Sequence, residues 1–326
     1  MIAQRPLVLL FVGVLTACGA ASAGTTSTSS VEANRPMAGT GPSEGREARG
    51  ATGAQWDTAR GGRLFDNWRK ELKSSFVPDA KNTPGVADGS GGPSNDGTLR
   101  LASGEPVLND AGHDYRLKNW FGWDLRGKAG MYGPSHMNKK TALDVDLFTW
   151  TGSVAELADR LERGEGPVPA LGPVMPRAEL EALAAFIVAQ RDGTLPTASS
   201  VLTLTSPEAK DYALKPGGDA ERGKRLIAER CAGCHGSDGT DILIDDGEFS
   251  LGSHARQKAY EDWFKILNGQ PGTAMGRQVR GNTAQEMAQE LLDILTALCD
   301  RKAFPLGKAK GKDVEDGDPR CGPALR

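Results

Sequence analysis

The chain is poor in the residues that build most catalytic centres and large cores. Aromatic residues make up only 6% of its 326 positions while glycine is frequent, so long loops are expected where a larger core would need continuous packing. Charge of neither sign dominates. The formal net charge of −3 leaves no basic footprint for nucleic acid. The apolar run Leu7–Val14 is too short to span a bilayer as a helix. Cysteine occurs five times, and only Cys231 and Cys234 stand close together. A structural zinc site would need a second close pair or a paired histidine, and a redox dithiol would need a βαβ context; neither is present. No nucleophile or acid–base pair stands out. The length allows about two domains.

What is present centres on Cys231-Ala232-Gly233-Cys234-His235. C-x-x-C-H is the attachment pattern for c-type haem. Cysteines at i and i+3 lie on one face of a helix, so both thiols can add to the two vinyl groups of one porphyrin. His235 continues that turn and can bring a neutral imidazole to the iron. One covalent haem c is therefore the expected cofactor, with Cys231, Cys234 and His235 as its attachment and ligand residues.

The N-terminus fits export. Residues 1–17 carry one charge, Arg5, ahead of the apolar run, which reads as a secretory signal. The tetrapeptide Leu15-Thr16-Ala17-Cys18 resembles a bacterial lipoprotein cleavage box, which implies a lipid on Cys18; the alternative is cleavage near Ala21-Ser22-Ala23. Gly19 carries no strong retention signal, so the outer membrane, on its periplasmic side, is the favoured address. Residues 18–54 are Ser-, Thr-, Gly- and Ala-rich and read as a flexible tether. In an oxidising compartment Cys299 and Cys321 are expected to form a disulfide worth about 3 kcal/mol, rather than remain free thiols.

Along the rest of the chain, Ala59–Trp68 reads as the start of an amphipathic helix with Leu64, Phe65 and Trp68 on one side. Residues 74–112 are polar, Gly- and Pro-rich, and read as a surface loop. Helices are expected over 154–161, after Pro176, over 220–230, over 255–268 and over 283–300, the last opened by a Thr283…Glu286 capping box. Val201–Thr205 alternates like a short strand within a 193–217 linker. The acidic run Asp238–Glu248 reads as a solvated loop, with a calcium site or an acidic docking rim as alternatives.

Residues 218–302 resemble a class I cytochrome c domain. The resemblance implies a distal-ligand loop, Gly269-Gln270-Pro271-Gly272-Thr273-Ala274-Met275-Gly276, in which Met275 gives the iron a thioether. His254 and Met287 are the rival ligands. Residues 55–192 resemble a degenerate copy of the same domain. Arg116, Gly122 and Asp124 match Arg230, Gly236 and Asp238, while Leu117, Trp120 and Phe121 replace Cys231, Cys234 and His235, and Leu171 stands where Met275 stands. Trp120, Phe121, Trp123 and Leu171 would then fill the space of the lost haem. An unrelated helical domain, or noncovalent haem held by His113 or His136, are the alternatives.

The expected fold is mainly α: two cytochrome c-like helical domains (55–192 and 218–302) joined by a linker, after a signal peptide and tether and before a 303–326 tail. The expected role is one-electron transfer between periplasmic redox proteins, without catalysis of its own. An electron-accepting dehydrogenase subunit, a peroxidase-like enzyme, or a docking module built on the haem-free domain are the other readings.

Overall fold

The structure is a computed structural model that describes residues 57–79, 89–109, 112–132, 141–206 and 211–326. The stretches expected to be a signal peptide (1–17) and a tether (18–54), with Cys18, and also His136, lie outside those residues. The protein is mainly α-helical, and residues 54–326 form one compact unit. Among the described residues, no helix is long and apolar enough to cross a membrane.

Two helical lobes build this unit. In the first, α1 (Thr58–Leu72) packs on α4 (Arg177–Arg191), with α2 (Leu117–Phe121) and α3 (Val154–Arg163) between them in sequence. In the second, α6 (Ala220–Arg230) packs on α9 (Ala284–Leu298), with α7 (Ala232–His235) and α8 (Leu251–Asn268) between. The segment between the lobes carries α5 (Ala198–Val201) and the antiparallel pair β1 (Leu202–Leu204) and β2 (Tyr212–Leu214). Its Leu195, Ala198, Val201, Leu202 and Tyr212 are buried, so the stretch read as a linker is part of the core. Likewise the 74–112 segment forms no helix or strand among its described residues, yet it buries Phe76 and Leu99.

The same local devices open both lobes. Asp57 caps α1 by accepting from Arg60 N at 3.0 Å, and Asp219 caps α6 by accepting from Arg222 N at 2.9 Å. Gly61 then lets α1 meet α4 closely, since a Cβ there would stand 2.1 Å from Ala182 O. Gly223 does the same for α6 on α9, where a Cβ would stand 2.0 Å from Asp293 O. Each crossing is tied by the arginine before the glycine: Arg60 Nε to Glu179 at 2.6 Å, and Arg222 Nη1 to Asp293 at 2.6 Å.

The lobes share one core. Phe264 of α8 packs against Phe65, Phe186 and Trp123 of the first lobe, with ring centroids 4.9–5.7 Å apart. Beside it, buried Asp66 pairs with Lys118 at 2.8 Å and with Lys265, and both ammonium groups lie over the Trp123 ring. Burial works against the Asp66 carboxylate, but Lys265 and Lys118 hold its pKa below the ordinary value.

The C-terminal tail wraps back onto the second lobe. Cys299 and Cys321 are disulfide-bonded. Fully buried Arg256 holds Asp313 through both carboxylate oxygens, at 2.8 and 2.6 Å, and donates to Leu298 O and Phe304 O.

Candidate functional site

Leu226 and Ile227 bury one face of α6, which delivers the chain to Cys231 at its C-terminal end. There the backbone tightens into α7: Cys234 N and His235 N both donate to Cys231 O, at 3.1 and 2.9 Å. Gly236, at φ +80°, ends the turn in a conformation that favours glycine. The two thiols and the imidazole thus sit on a single turn, fixed by a helix end on one side and a glycine cap on the other. A Cβ at Gly233 would meet nothing within 4 Å, so the outer side of this turn is open.

Both cysteines are free thiols; Cys231 is half-buried and Cys234 exposed. Burial pushes the Cys231 thiol up to about 11 against the pull of Arg230. His235 is half-buried. Burial holds its pKa below the ordinary imidazole value, with Asp262 acting the other way. It is therefore neutral near pH 7, the form that ligates iron. Its Nδ1 is buried without a hydrogen-bond partner. Two free thiols with a neutral, under-satisfied imidazole on one turn fit covalent haem chemistry.

Met275 lies half-buried on the loop after α8, beyond the Gly269 cap at φ +94°. The loop is closed by Gln270 N donating to Met275 O at 3.0 Å and Met275 N donating to Thr273 Oγ1 at 3.2 Å. Arg230, the residue before Cys231, donates to Gln278 O at 2.8 Å and pairs with Glu290 at 2.7 Å. The attachment turn and the end of the Met275 loop are therefore fastened together through one guanidinium.

The rival ligands are engaged elsewhere. Met287 is buried in the α9 core. His254 is buried between two carboxylates, with Nδ1 2.9 Å from Asp262 and Nε2 3.7 Å from Asp245. Burial opposes its charge, but Asp262 and the bonds to both acids raise its pKa to about 9, and a protonated ring does not ligate metal. The contact between His254 and Asp262 needs the break in α8 at Lys258 (φ −134°, ψ 34°), because a straight helix would set residues i and i+8 about 12 Å apart along its axis. The Ala259 N–H beside this break donates to the Tyr212 hydroxyl at 2.8 Å.

The first lobe repeats the turn with other side chains. Leu117, Trp120 and Phe121, at the positions of Cys231, Cys234 and His235, are all buried, as are Trp123 and Leu171. The backbone keeps the pattern. Gly122 ends α2 at φ +69°, Leu125 N donates to Gly122 O as Gly239 N donates to Gly236 O, and Leu125 and Gly239 both have positive φ. A cavity of about 270 Å³ lies beside Trp120, lined also by Thr141, Leu143, Pro167 and Pro169; among the described residues no histidine lines it. His113 is exposed.

Among the described residues, no group of three or more His, Cys, Asp and Glu side chains could hold a metal ion, the Asp238–Glu248 loop included. Lysines from outside the loop meet it: Lys258 pairs with Asp245, and Lys310 Nζ donates to the backbone carbonyl of Asp246 at 3.1 Å.

The sequence reading missed Asp262, which acts on His235, and saw Arg230 only as the counterpart of Arg116, not its ties to Gln278 and Glu290 beside the Cys231–His235 turn. It also missed a repeat that brings the two lobes into register: Asp57-Thr58-Ala59-Arg60-Gly61-Gly62-Arg63-Leu64 against Asp219-Ala220-Glu221-Arg222-Gly223-Lys224-Arg225-Leu226. A comparison with protein-family models finds no match, and one with curated proteins finds none either.

Proposed function

We propose that the chain is an exported, membrane-tethered c-type cytochrome that passes single electrons between periplasmic redox proteins through one covalent haem. The observation that carries this reading is the turn on which two free thiols and a neutral imidazole stand together. Bound haem would supply the redox centre. Cys231 and Cys234 would anchor it by thioether bonds, and His235 would supply an imidazole nitrogen to the iron. Met275 gives a soft thioether that favours ferrous iron. Arg230 keeps the attachment turn and the Met275 loop in register. A lipid on Cys18 tethers the protein to the periplasmic face of a membrane, the outer one favoured. The first lobe is a cytochrome c-like domain that has lost its haem site to apolar side chains. A peroxidase would need an open iron position, which ligation by Met275 removes; a role as the electron-accepting subunit of a dehydrogenase differs only in the partner.

The test is intact mass after expression with a haem-attachment system. One added haem is expected, with none on Cys234→Ala joined to Cys231→Ala. A wild-type chain carrying no covalent haem overturns the proposal, and two added haems would contradict the haem-free assignment of the first lobe.

A further inference from the structure

The loop that carries Met275 is held largely by the other lobe. Its tip meets α1: Gly272 N donates to Glu71 Oε2 at 3.0 Å, and a Cβ on Gly272 would stand 2.7 Å from Lys70 O. Where the loop leaves α8, Arg63 Nη1 donates to Asn268 O at 3.0 Å, and Gly62 lets Asn268 in against the α1 backbone. On the far side of Met275, Arg277 donates to Leu267 O at 2.8 Å and to Thr58 Oγ1 at 3.0 Å. Glu71 joins these contacts. Its Oε1 accepts from Arg60 at 3.2 Å and Arg63 at 3.0 Å, which leaves Oε2 for Gly272, and its side chain is only 7% exposed. The second lobe's own ties, Arg230 to Gln278 O and Gln278 N to Ile266 O, reach only the C-terminal end of the loop.

We propose that α1 of the haem-free lobe is the seat of the axial-ligand loop, with Glu71 and Arg63 as positioning residues that hold Met275 at the iron. This rests on the reading of Met275 as a ligand. It gives the first lobe a task in the second: a loop of Gly, Pro and Thr has little packing of its own, and a seated loop makes the thioether harder to displace. The bond from Glu71 to Gly272 is charge-assisted and, although the loop tip is exposed, it is made by a side chain that two guanidiniums hold in place, so its loss is expected to be felt at the ligand.

The test uses the full-length, haem-loaded chain and added imidazole as the competing ligand, followed by the visible spectrum of the ferric protein. Glu71→Ala is expected to raise the apparent imidazole affinity by about tenfold or more, in the direction of Met275→Leu, which marks complete loss of the thioether. Glu71→Gln leaves one acceptor oxygen to be shared between the two guanidiniums and Gly272 N–H, and should fall between wild type and Glu71→Ala. Glu179→Gln removes the other acid on Arg60 without touching the loop and should leave the affinity unchanged. Hydrogen exchange of the haem-free chain gives a second readout that needs no haem: amides 270–276 should exchange faster in Glu71→Ala and in Arg63→Gln. Should Met275→Leu raise the affinity while Glu71→Ala and Arg63→Gln leave both affinity and exchange at wild-type values, the seat is wrong and the cytochrome reading stands. If Met275→Leu itself changes nothing, the ligand assignment falls, and the positioning role with it.

Discussion

The two lobes use one backbone plan with opposite chemistry in the middle of it. Each begins with an aspartate cap, crosses its last helix at a glycine, makes a short helix ended by a glycine of positive φ, and passes through a Ser-capped helix into a Gly- and Pro-rich loop. At the short helix they part. The first lobe puts Leu117, Trp120 and Phe121 there and buries them; the second puts Cys231, Cys234 and His235 there and leaves Cys234 in solvent. At the loop, Leu171 is fully buried and Met275 only half. The first lobe thus turns these positions into the core it shares with the second. The second keeps two thiols, an imidazole and a thioether at the same points and leaves them partly or wholly in solvent. The lesson is that a backbone scaffold and the side chains set on it are separable: the caps, crossings and turns persist where the thiols and the imidazole do not.

The largest expected effect breaks that contrast directly. Trp120→Ala should destabilise the protein by about 3–5 kcal/mol, since it empties a buried indole site beside an existing cavity. The matching change, Cys234→Ala, removes an exposed group and should stay within about 0.5 kcal/mol in the haem-free protein. Urea denaturation of both variants without haem makes the comparison, and equal costs would mean the two positions are not counterparts.

Much of this plan was legible in the sequence, and what was missed has physical reasons. The Cys231–His235 turn could be read because its pattern spans residues at i, i+3 and i+4 only. The helices were legible from their apolar stripes and from the Thr283 capping box, which forms as expected. The 74–112 stretch read as surface loop because its apolar residues, such as Phe76-Val77 and Leu99 with Leu101, form runs too short to set a helix or strand period in a polar, Gly- and Pro-rich segment. The seat of the Met275 loop on α1 joins residues some 200 positions apart, and no local pattern encodes such a contact. The break at Lys258 has neither proline nor glycine to announce it; it follows from the buried His254–Asp262 pair and the Tyr212 hydroxyl on Ala259 N.

That break marks the next difference between the lobes. Helix α8 has 18 residues where α3 has 10, and the additional turns carry His254 and Arg256. Asp262, Asp245 and Glu261 face His254, with Lys258 on the shared Asp245. The folded pKa of His254 is about 9, above its ordinary 6.5. A raised pKa contributes stability that is fully present below the unfolded value and is lost as pH rises through the folded one. Stability should therefore fall by about 3 kcal/mol between pH 6.5 and pH 9 from this residue. His254→Gln should flatten that fall in denaturation curves measured across the range. The first lobe has no counterpart, so an equal slope in the variant would assign the effect elsewhere.

The smallest effect bears on whether the lobes are one cooperative body. Asp57→Ala and Asp219→Ala each remove a single cap bond, to Arg60 N and Arg222 N, with nearly equal geometry. Each should cost about 1 kcal/mol. Asp219 also donates its backbone N–H to Asp293, but that bond survives the substitution and does not enter the difference. Because Phe264 and Lys265 of the second lobe are packed into the first, the haem-free protein should unfold in one transition, and both substitutions should shift it. The double variant should then show the sum of the two costs. If the lobes instead unfolded separately, each cap would move only its own transition and leave the other in place. Two caps of equal worth, one in each lobe, thus separate a shared core from two adjacent ones, because the local losses match and only the coupling between lobes differs.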